Sequence, residues 1–120
     1  MTSHFLQSES VGRVTTVQLT KDAEYLGSEN ASAVAEELFG LVGEANGSEL
    51  LLDLQNVRYM TSTGLTVLLA LRGKLHAAGG RLSLCNPSPQ VVEVLDVTRL
   101  NTLFEVHPSS NLFEHAAGCG

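Results

Sequence analysis

The sequence predicts a single α/β domain in which helices pack on a mixed β-sheet, with the element order β-β-α-β-α-β-α-β-α. Short apolar runs alternate with segments whose apolar residues recur every three or four positions, a pattern typical of strands alternating with helices. The first two strand-like segments are separated only by "SVG", which indicates a hairpin. The 120 residues are enough for one hydrophobic core. We therefore expect one domain over residues 1–117 and a flexible tail over 118–120.

Strands are predicted at 4–9 and 13–19, followed by the polar stretch "TKDAEYLGSEN". A helix should begin after Ser28 and end near 43–47, because the following apolar residues have helical spacing. These residues are Ala31, Val34, Ala35, Leu38, Leu41 and Val42.

The segment "ELLLDL", 49–54, is a continuous apolar run, which is typical of a strand covered on both faces and flanked by parallel neighbours. A second helix is expected over 62–76, ended by the pair Gly79–Gly80. The strand "RLSLC" and a helix capped by Ser88, with Pro89 in its first turn, follow. A strand over 102–107 and a closing helix in "SSNLFEHAAG" complete the prediction.

Composition excludes several functional classes. Seven Lys and Arg residues stand against thirteen Asp and Glu, so the chain lacks the excess of positive charge that nucleic-acid binding requires. No apolar run approaches the roughly 20 residues of a membrane span, and the first ten residues do not resemble a signal peptide. We expect a cytoplasmic protein without membrane insertion, in which Cys85 and Cys119 are free thiols.

The stretch "RYMTSTGL", 58–65, places three hydroxyl side chains and a glycine where a strand gives way to a helix. One hydroxyl suffices to cap a helix, whereas Thr61, Ser62 and Thr63 supply three, so at least one should face solvent. Unpaired amides and the helix dipole stabilise an anion at this position, so a phosphoryl group on Ser62 would fit there. The alternative is that Ser62 is a plain N-cap.

The stretch 58–65 lacks the residues that two known catalytic motifs require. A P-loop requires a lysine that is missing here, and the nucleophile elbow G-x-S-x-G would have Met60 in place of its first glycine. The histidines at 76, 107 and 115 are scattered and offer Ser62 no base. We expect no catalytic residue, no metal site and no cofactor.

The segment 49–107 resembles the STAS domain of anti-sigma factor antagonists. The resemblance rests on an apolar strand ending in "DL", an aromatic residue followed by "MTSTG", a helix, "GG", and a strand leading into "SP". It is looser over the first 48 residues, where the family's "G-x-L-D" turn is missing. By this resemblance Ser62 is the phosphoacceptor, with Thr61 and Thr63 as alternates. Thr61 replaces the family's usual Asp.

The resemblance implies partner switching. The unphosphorylated domain would bind an anti-sigma factor that is itself a serine kinase, phosphorylation by that kinase would end binding, and a PP2C-type phosphatase would restore it. The chain would then be a substrate and a regulator with no ATP or metal requirement of its own. The expected docking surface combines the Ser62 turn with the polar loop 20–30. It comprises Met60, Thr61, Ser62, Thr63, Gly64, Asp22 and Glu24.

Two alternatives to partner switching remain open at this point. A STAS module that does not switch would act as a scaffold, or as an accessory subunit of a signalling complex or lipid transporter. A small-molecule or nucleotide binder would use the same helix start.

Gly64 lies in the first turn of the second predicted helix, where glycine costs about 1 kcal/mol relative to Ala. It either lets a partner's surface approach closely or gives a crowded turn room.

Overall fold

The predicted hairpin opens a five-stranded mixed sheet in the computed structural model, which describes residues 5–43 and 49–107. The first two strands pair antiparallel, and the other three run parallel to the second. In their order across the sheet, the strands are β1 (Leu6–Val11), β2 (Val14–Leu19), β4 (Glu49–Asp53), β6 (Arg81–Cys85) and β7 (Glu105–His107). The mixed α/β sheet is therefore confirmed.

Three helices connect successive parallel strands, and they are α1 (Ala31–Gly40), α2 (Ser62–Ala77) and α3 (Pro89–Val97). Each connection steps in the same direction across the sheet, so right-handed crossovers place all three helices on one face. Their buried residues belong to one apolar cluster with Leu50 and Leu52 of β4. Among the described residues, none of the helices is both long and apolar enough to cross a bilayer.

Strand β4 is buried on both faces, which explains its continuous apolar sequence. Leu50 and Leu52 face the helices, whereas Leu51 packs with Cys85 in a second cluster on the opposite face. The neighbours of β4 are the parallel strands β2 and β6, as predicted. Cys85 is buried and forms no disulfide within residues 5–43 and 49–107, and Cys119 lies outside the described residues.

Several predicted boundaries are wrong by a few residues. Helix α1 begins at Ala31 rather than directly after Ser28, and it ends at Gly40, so Leu41 and Val42 lie in the following turn. Residues 100–102 form a 3-10 turn, which shortens the last predicted strand to β7. The predicted closing helix and the tail over 118–120 lie outside the described residues.

A second sheet of two short parallel strands was not predicted. It pairs β3 (Tyr25–Leu26) with β5 (Tyr59–Met60), in the register Tyr25 to Tyr59 and Leu26 to Met60. The two tyrosines are exposed and the other two side chains are buried. This small sheet joins the polar loop 20–30 to the segment that leads into α2, so the two lie at the same end of the molecule, as expected.

The first turn of α2 lies directly against β3 at Gly64. A Cβ atom placed on Gly64 would lie 2.8 Å from Met60 Cγ and 2.9 Å from the carbonyl oxygen of Leu26. Atoms this close must shift, and a backbone carbonyl within a paired strand has little room to do so. Gly64 therefore gives room for close packing within the chain, the second of the two roles considered for it.

Replacing Gly64 with Ala should destabilise the protein by about 1–3 kcal/mol, because the added methyl group overpacks the contact with Leu26. Gly73 provides a matched control on the same helix, since a Cβ placed there meets no atom within 4 Å. Gly73→Ala should stabilise the protein by up to about 1 kcal/mol through helix propensity. Urea denaturation measures the free energy of unfolding of both variants, and equal changes in the two would refute the packing role of Gly64.

Candidate functional site

The site begins where the chain leaves the carboxyl end of β4. The Asp53 carboxylate accepts hydrogen bonds from the Gln55 backbone N–H at 2.9 Å and from the Asn86 side-chain amide at 3.1 Å. The Leu54 backbone N–H donates to the Cys85 carbonyl at 2.9 Å. Asp53 thus has a structural role, which is to fix the loop between β4 and β5.

Thr61 occupies the N-cap position of α2 but does not cap the helix. Its backbone N–H donates to the Leu26 carbonyl at 3.0 Å, and its hydroxyl donates to the same oxygen at 3.4 Å. Its side chain makes no capping hydrogen bond to the first turn of α2. The interpretation of Ser62 as a plain N-cap is therefore wrong, because Ser62 is the first residue of the helix itself.

Ser62 and Thr63 are exposed in the first turn of α2, and Thr61 is half-buried. Within the described part of the chain, neither the Ser62 nor the Thr63 hydroxyl has a hydrogen-bond partner; the Ser62 backbone carbonyl accepts from the Thr66 hydroxyl at 2.9 Å. The expectation that at least one hydroxyl faces solvent is confirmed. The Ser62 oxygen lies at the positive end of a 16-residue helix, where an added negative charge is stabilised.

The segment that carries Ser62 is held from both sides. On one side, the backbone N–H groups of Arg58 and Tyr59 both donate to the Glu24 carbonyl, at 2.9 and 3.1 Å. On the other side, the first turn of α3 supplies Gln90, whose side-chain oxygen accepts from the Met60 backbone N–H at 3.2 Å. These contacts fix β5 between β3 and α3, immediately before the hydroxyl turn.

Ser88 connects the start of α3 to the same segment. Its hydroxyl accepts from the Val91 backbone N–H, which confirms the predicted cap, and it donates to the Arg58 carbonyl at 3.2 Å. Sequence reasoning identified the cap but not the contact with Arg58, and it missed Gln90 entirely. Met60 and Gln90 are 30 residues apart, so no local sequence pattern indicates their contact.

The structure divides the seven residues predicted for the docking surface into two groups. Met60 and Gly64 are buried and shape the surface from beneath. The other five are exposed or half-buried at the same end of the molecule: Asp22, Glu24, Thr61, Ser62 and Thr63. Their contact with a partner stays a prediction.

The charges beside the turn are of both signs. The Glu24 carboxylate lies 3.4 Å from the Arg58 guanidinium, with both side chains at least partly exposed, so the pair adds little stability. Asp22, two residues before Glu24, is exposed in the middle of the 3-10 turn Lys21–Ala23. Among the described residues, no group of three or more His, Cys, Asp or Glu side chains is arranged to hold a metal ion.

Comparison with known proteins places this geometry in a family. The model of the family described as "STAS domain" matches residues 7–114. The chain belongs to the STAS domain family. It is 31% identical over 81 residues to the anti-sigma-B factor antagonist of Bacillus subtilis, a match that covers 68% of this chain and 72% of that protein.

Solved STAS structures share the fold. An anti-sigma factor antagonist domain protein of Planctomyces limnophilus superposes with a TM-score of 0.79 at 21% identity, over 87% of this chain and 90% of that one. The anti-sigma factor antagonist SpoIIAA in its unphosphorylated form superposes with a TM-score of 0.71 at 20% identity, over 94% of this chain and 96% of that one. SpoIIAA, a cell fate determinant of Bacillus, has also been solved in its phosphorylated form.

Replacing Gln90 with Met should free the Met60 amide, because the new side chain has similar length but cannot accept the hydrogen bond. Losing this bond should cost about 1–2 kcal/mol and speed amide exchange at Met60. Gln90→Glu, which keeps an acceptor oxygen, should retain most of the protection of the Met60 amide against exchange. Gln55→Met is a control at an exposed position. Unchanged exchange at Met60 in Gln90→Met, measured by NMR, would show that this contact does not hold β5.

Proposed function

We propose that this STAS domain is an anti-sigma factor antagonist whose partner binding is controlled by phosphorylation of Ser62. The observation that carries the proposal is the exposed Ser62 hydroxyl, which has no hydrogen-bond partner in the described structure and lies in the first turn of α2. The relationship to anti-sigma factor antagonists supports an anti-sigma factor as the partner. In this proposal the protein acts in the cytoplasm and has no catalytic activity of its own.

The covalent step is carried out by the partner, a serine kinase. The Ser62 hydroxyl oxygen attacks the γ-phosphorus of ATP, a new O–P bond forms, ADP leaves, and the hydroxyl proton passes to a base on the kinase. A PP2C-type phosphatase reverses the modification by hydrolysis, which releases inorganic phosphate and restores the hydroxyl. ATP and metal ions serve these two enzymes, while the STAS domain contributes the acceptor oxygen.

The phosphate acts through charge. It adds roughly 1.5 to 2 negative charges at a position where the first-turn amides and the helix dipole stabilise an anion. Helix α2 therefore accepts the modification without unfolding. The same charge lies at the centre of the proposed docking surface, which already carries the acidic residues Asp22 and Glu24. A partner that fits the neutral hydroxyl is repelled by the phosphate.

Thr61 distinguishes this chain from the family pattern, in which an Asp precedes the phosphoacceptor. Its hydroxyl donates to the Leu26 carbonyl, a contact that an ionised Asp cannot make because it has no proton to donate. Thr61 is therefore engaged within the protein, which leaves Ser62 as the proposed acceptor and Thr63 as the alternate. The same substitution favours a second candidate function, a STAS scaffold that binds its partner without switching.

Phosphorylation should add one phosphate to the wild-type chain when it is incubated with ATP and a serine-kinase anti-sigma factor from the source genome. Intact-mass analysis measures the product. Ser62→Ala should remain unmodified, whereas Thr63→Ala should be phosphorylated like the wild type. Stable binding of the kinase without any phosphate would favour the scaffold, and a phosphate retained in Ser62→Ala would exclude Ser62 as the acceptor.

Placing a charge at the acceptor position should mimic the modified state. Ser62→Asp should weaken kinase binding by at least tenfold, or about 1.4 kcal/mol, with little change in melting temperature. Ser8→Asp adds the same charge at an exposed position on the edge strand β1 and should bind like the wild type. Calorimetric titration compares the three proteins. An unaltered affinity in Ser62→Asp would remove the switch.

A further inference from the structure

Both tyrosines of the chain lie at paired positions on the outer face of the β3–β5 sheet. The sequence contains two Tyr and no Trp, and the parallel register places Tyr25 directly beside Tyr59. Their exposed fractions are 62% and 47%, although the neighbouring residues on each strand, Leu26 and Met60, are buried. The small sheet thus has one apolar face against the core and one aromatic face toward solvent.

The fold itself does not account for this aromatic face. Leu26 and Met60 supply the packing that holds the small sheet against the core. The other large apolar side chains that are exposed in the described structure are aliphatic, and they lie on α2, α3 or the turn that follows α3. Exposed aromatic clusters mark interaction sites, and Tyr is among the residues that contribute most to binding energy at interfaces.

The position of the pair relative to Ser62 determines which partner would cover it. Tyr59 precedes Ser62 by three residues, so their Cα atoms are at most about 11 Å apart. A stable protein complex covers about 800 Å² on each partner, equivalent to a disc of roughly 16 Å radius. By Cα separation, Tyr59 falls within that radius of Ser62, and Tyr25 is paired beside it.

Charged side chains border the tyrosines. Glu24 precedes Tyr25, Arg58 precedes Tyr59, and these two charges pair at 3.4 Å. Asp22 lies three residues before Tyr25 and is exposed. Lys21, next to Asp22, is exposed too, so the border carries charges of both signs. An aromatic centre with a charged border is the usual composition of a protein interface, and this border suits a partner whose own rim carries both signs.

We infer that Tyr25 and Tyr59 form the docking anchor for the serine kinase that modifies Ser62. The inference rests on the proposed function and adds a division of roles to it. The tyrosines supply apolar contact that does not depend on the charge of Ser62, and the Ser62 hydroxyl supplies the switch. The complementary surface on the kinase is an apolar pocket bordered by charged side chains of both signs.

The test compares the double variant Tyr25→Ser, Tyr59→Ser with Val97→Ser, which removes a side chain that is 77% exposed on α3. The probes are the purified serine-kinase anti-sigma factors of the source genome. The double variant should bind the cognate kinase about tenfold or more weakly, with a raised KM and a nearly unchanged kcat for phosphorylation of Ser62. Val97→Ser should match the wild type in both measurements.

A second measurement does not depend on substitution. Because the chain contains only these two tyrosines, 3-fluorotyrosine labelling places both fluorine labels in the proposed anchor. Addition of the unlabelled kinase should shift or broaden both ¹⁹F resonances. The label therefore reports contact at the anchor even if the double variant fails to fold.

The possible results distinguish failure of the tyrosine anchor from failure of the proposed Ser62 switch. If the kinase binds and modifies Ser62 while the variants and resonances are unaffected, the anchor is refuted and the switch stands. If no candidate kinase binds the wild-type chain, the proposed function fails and the anchor fails with it. If the double variant loses self-association in sedimentation but keeps kinase affinity, the face belongs to a second copy of the chain and the inference is overturned.

Discussion

The Leu26 carbonyl is the contact on which the site depends. It accepts hydrogen bonds from both the backbone N–H and the hydroxyl of Thr61, at 3.0 and 3.4 Å. The first turn of α2 comes so close to this oxygen that a Cβ on Gly64 would lie 2.9 Å from it. A helix start and a strand end are thereby packed as one unit. The position of the Ser62 hydroxyl follows from this contact.

The segment that leads into Ser62 is held rigidly, and this limits how the site can respond to a modification. The segment before Ser62 is bonded to the Glu24 carbonyl on one side and to Gln90 on the other, so little of it is free to rearrange. In the proposed function, a modification at Ser62 would act by changing the local charge rather than by remodelling the turn, because the helix dipole already favours an anion there. In the proposed function, the partner senses electrostatic repulsion at a surface whose shape is preserved.

Much of the fold could be predicted because its signals are local. The unbroken apolar run around Leu51 indicated a strand buried on both faces, and the glycines at 79 and 80 indicated the end of α2, where Gly79 has a φ of +85°. Ser88 was recognised as a cap because the pattern of a cap followed by Pro is contained in a few residues. The hydroxyl turn was located for the same reason.

The remainder of the site escaped prediction because its signals are not local. Strands β3 and β5 have two residues each, too few to show alternation, and they form because residues 34 apart pair with each other. Asn30 holds the loop through the Gly27 amide and the Tyr25 carbonyl, a pattern that resembles an ordinary helix cap in sequence. The contact of Gln90 with Met60 likewise depends on the tertiary fold.

Phosphoserine introduced at position 62 during synthesis would show whether charge alone controls binding, with the modified and unmodified chains compared by NMR and by kinase titration. We expect kinase binding to be lost while the resonances of Leu26, Met60 and Gly64 stay in place, since charge changes and packing does not. Retained binding by the phosphorylated chain, or large shifts at those buried residues, would rule out a switch that acts through charge.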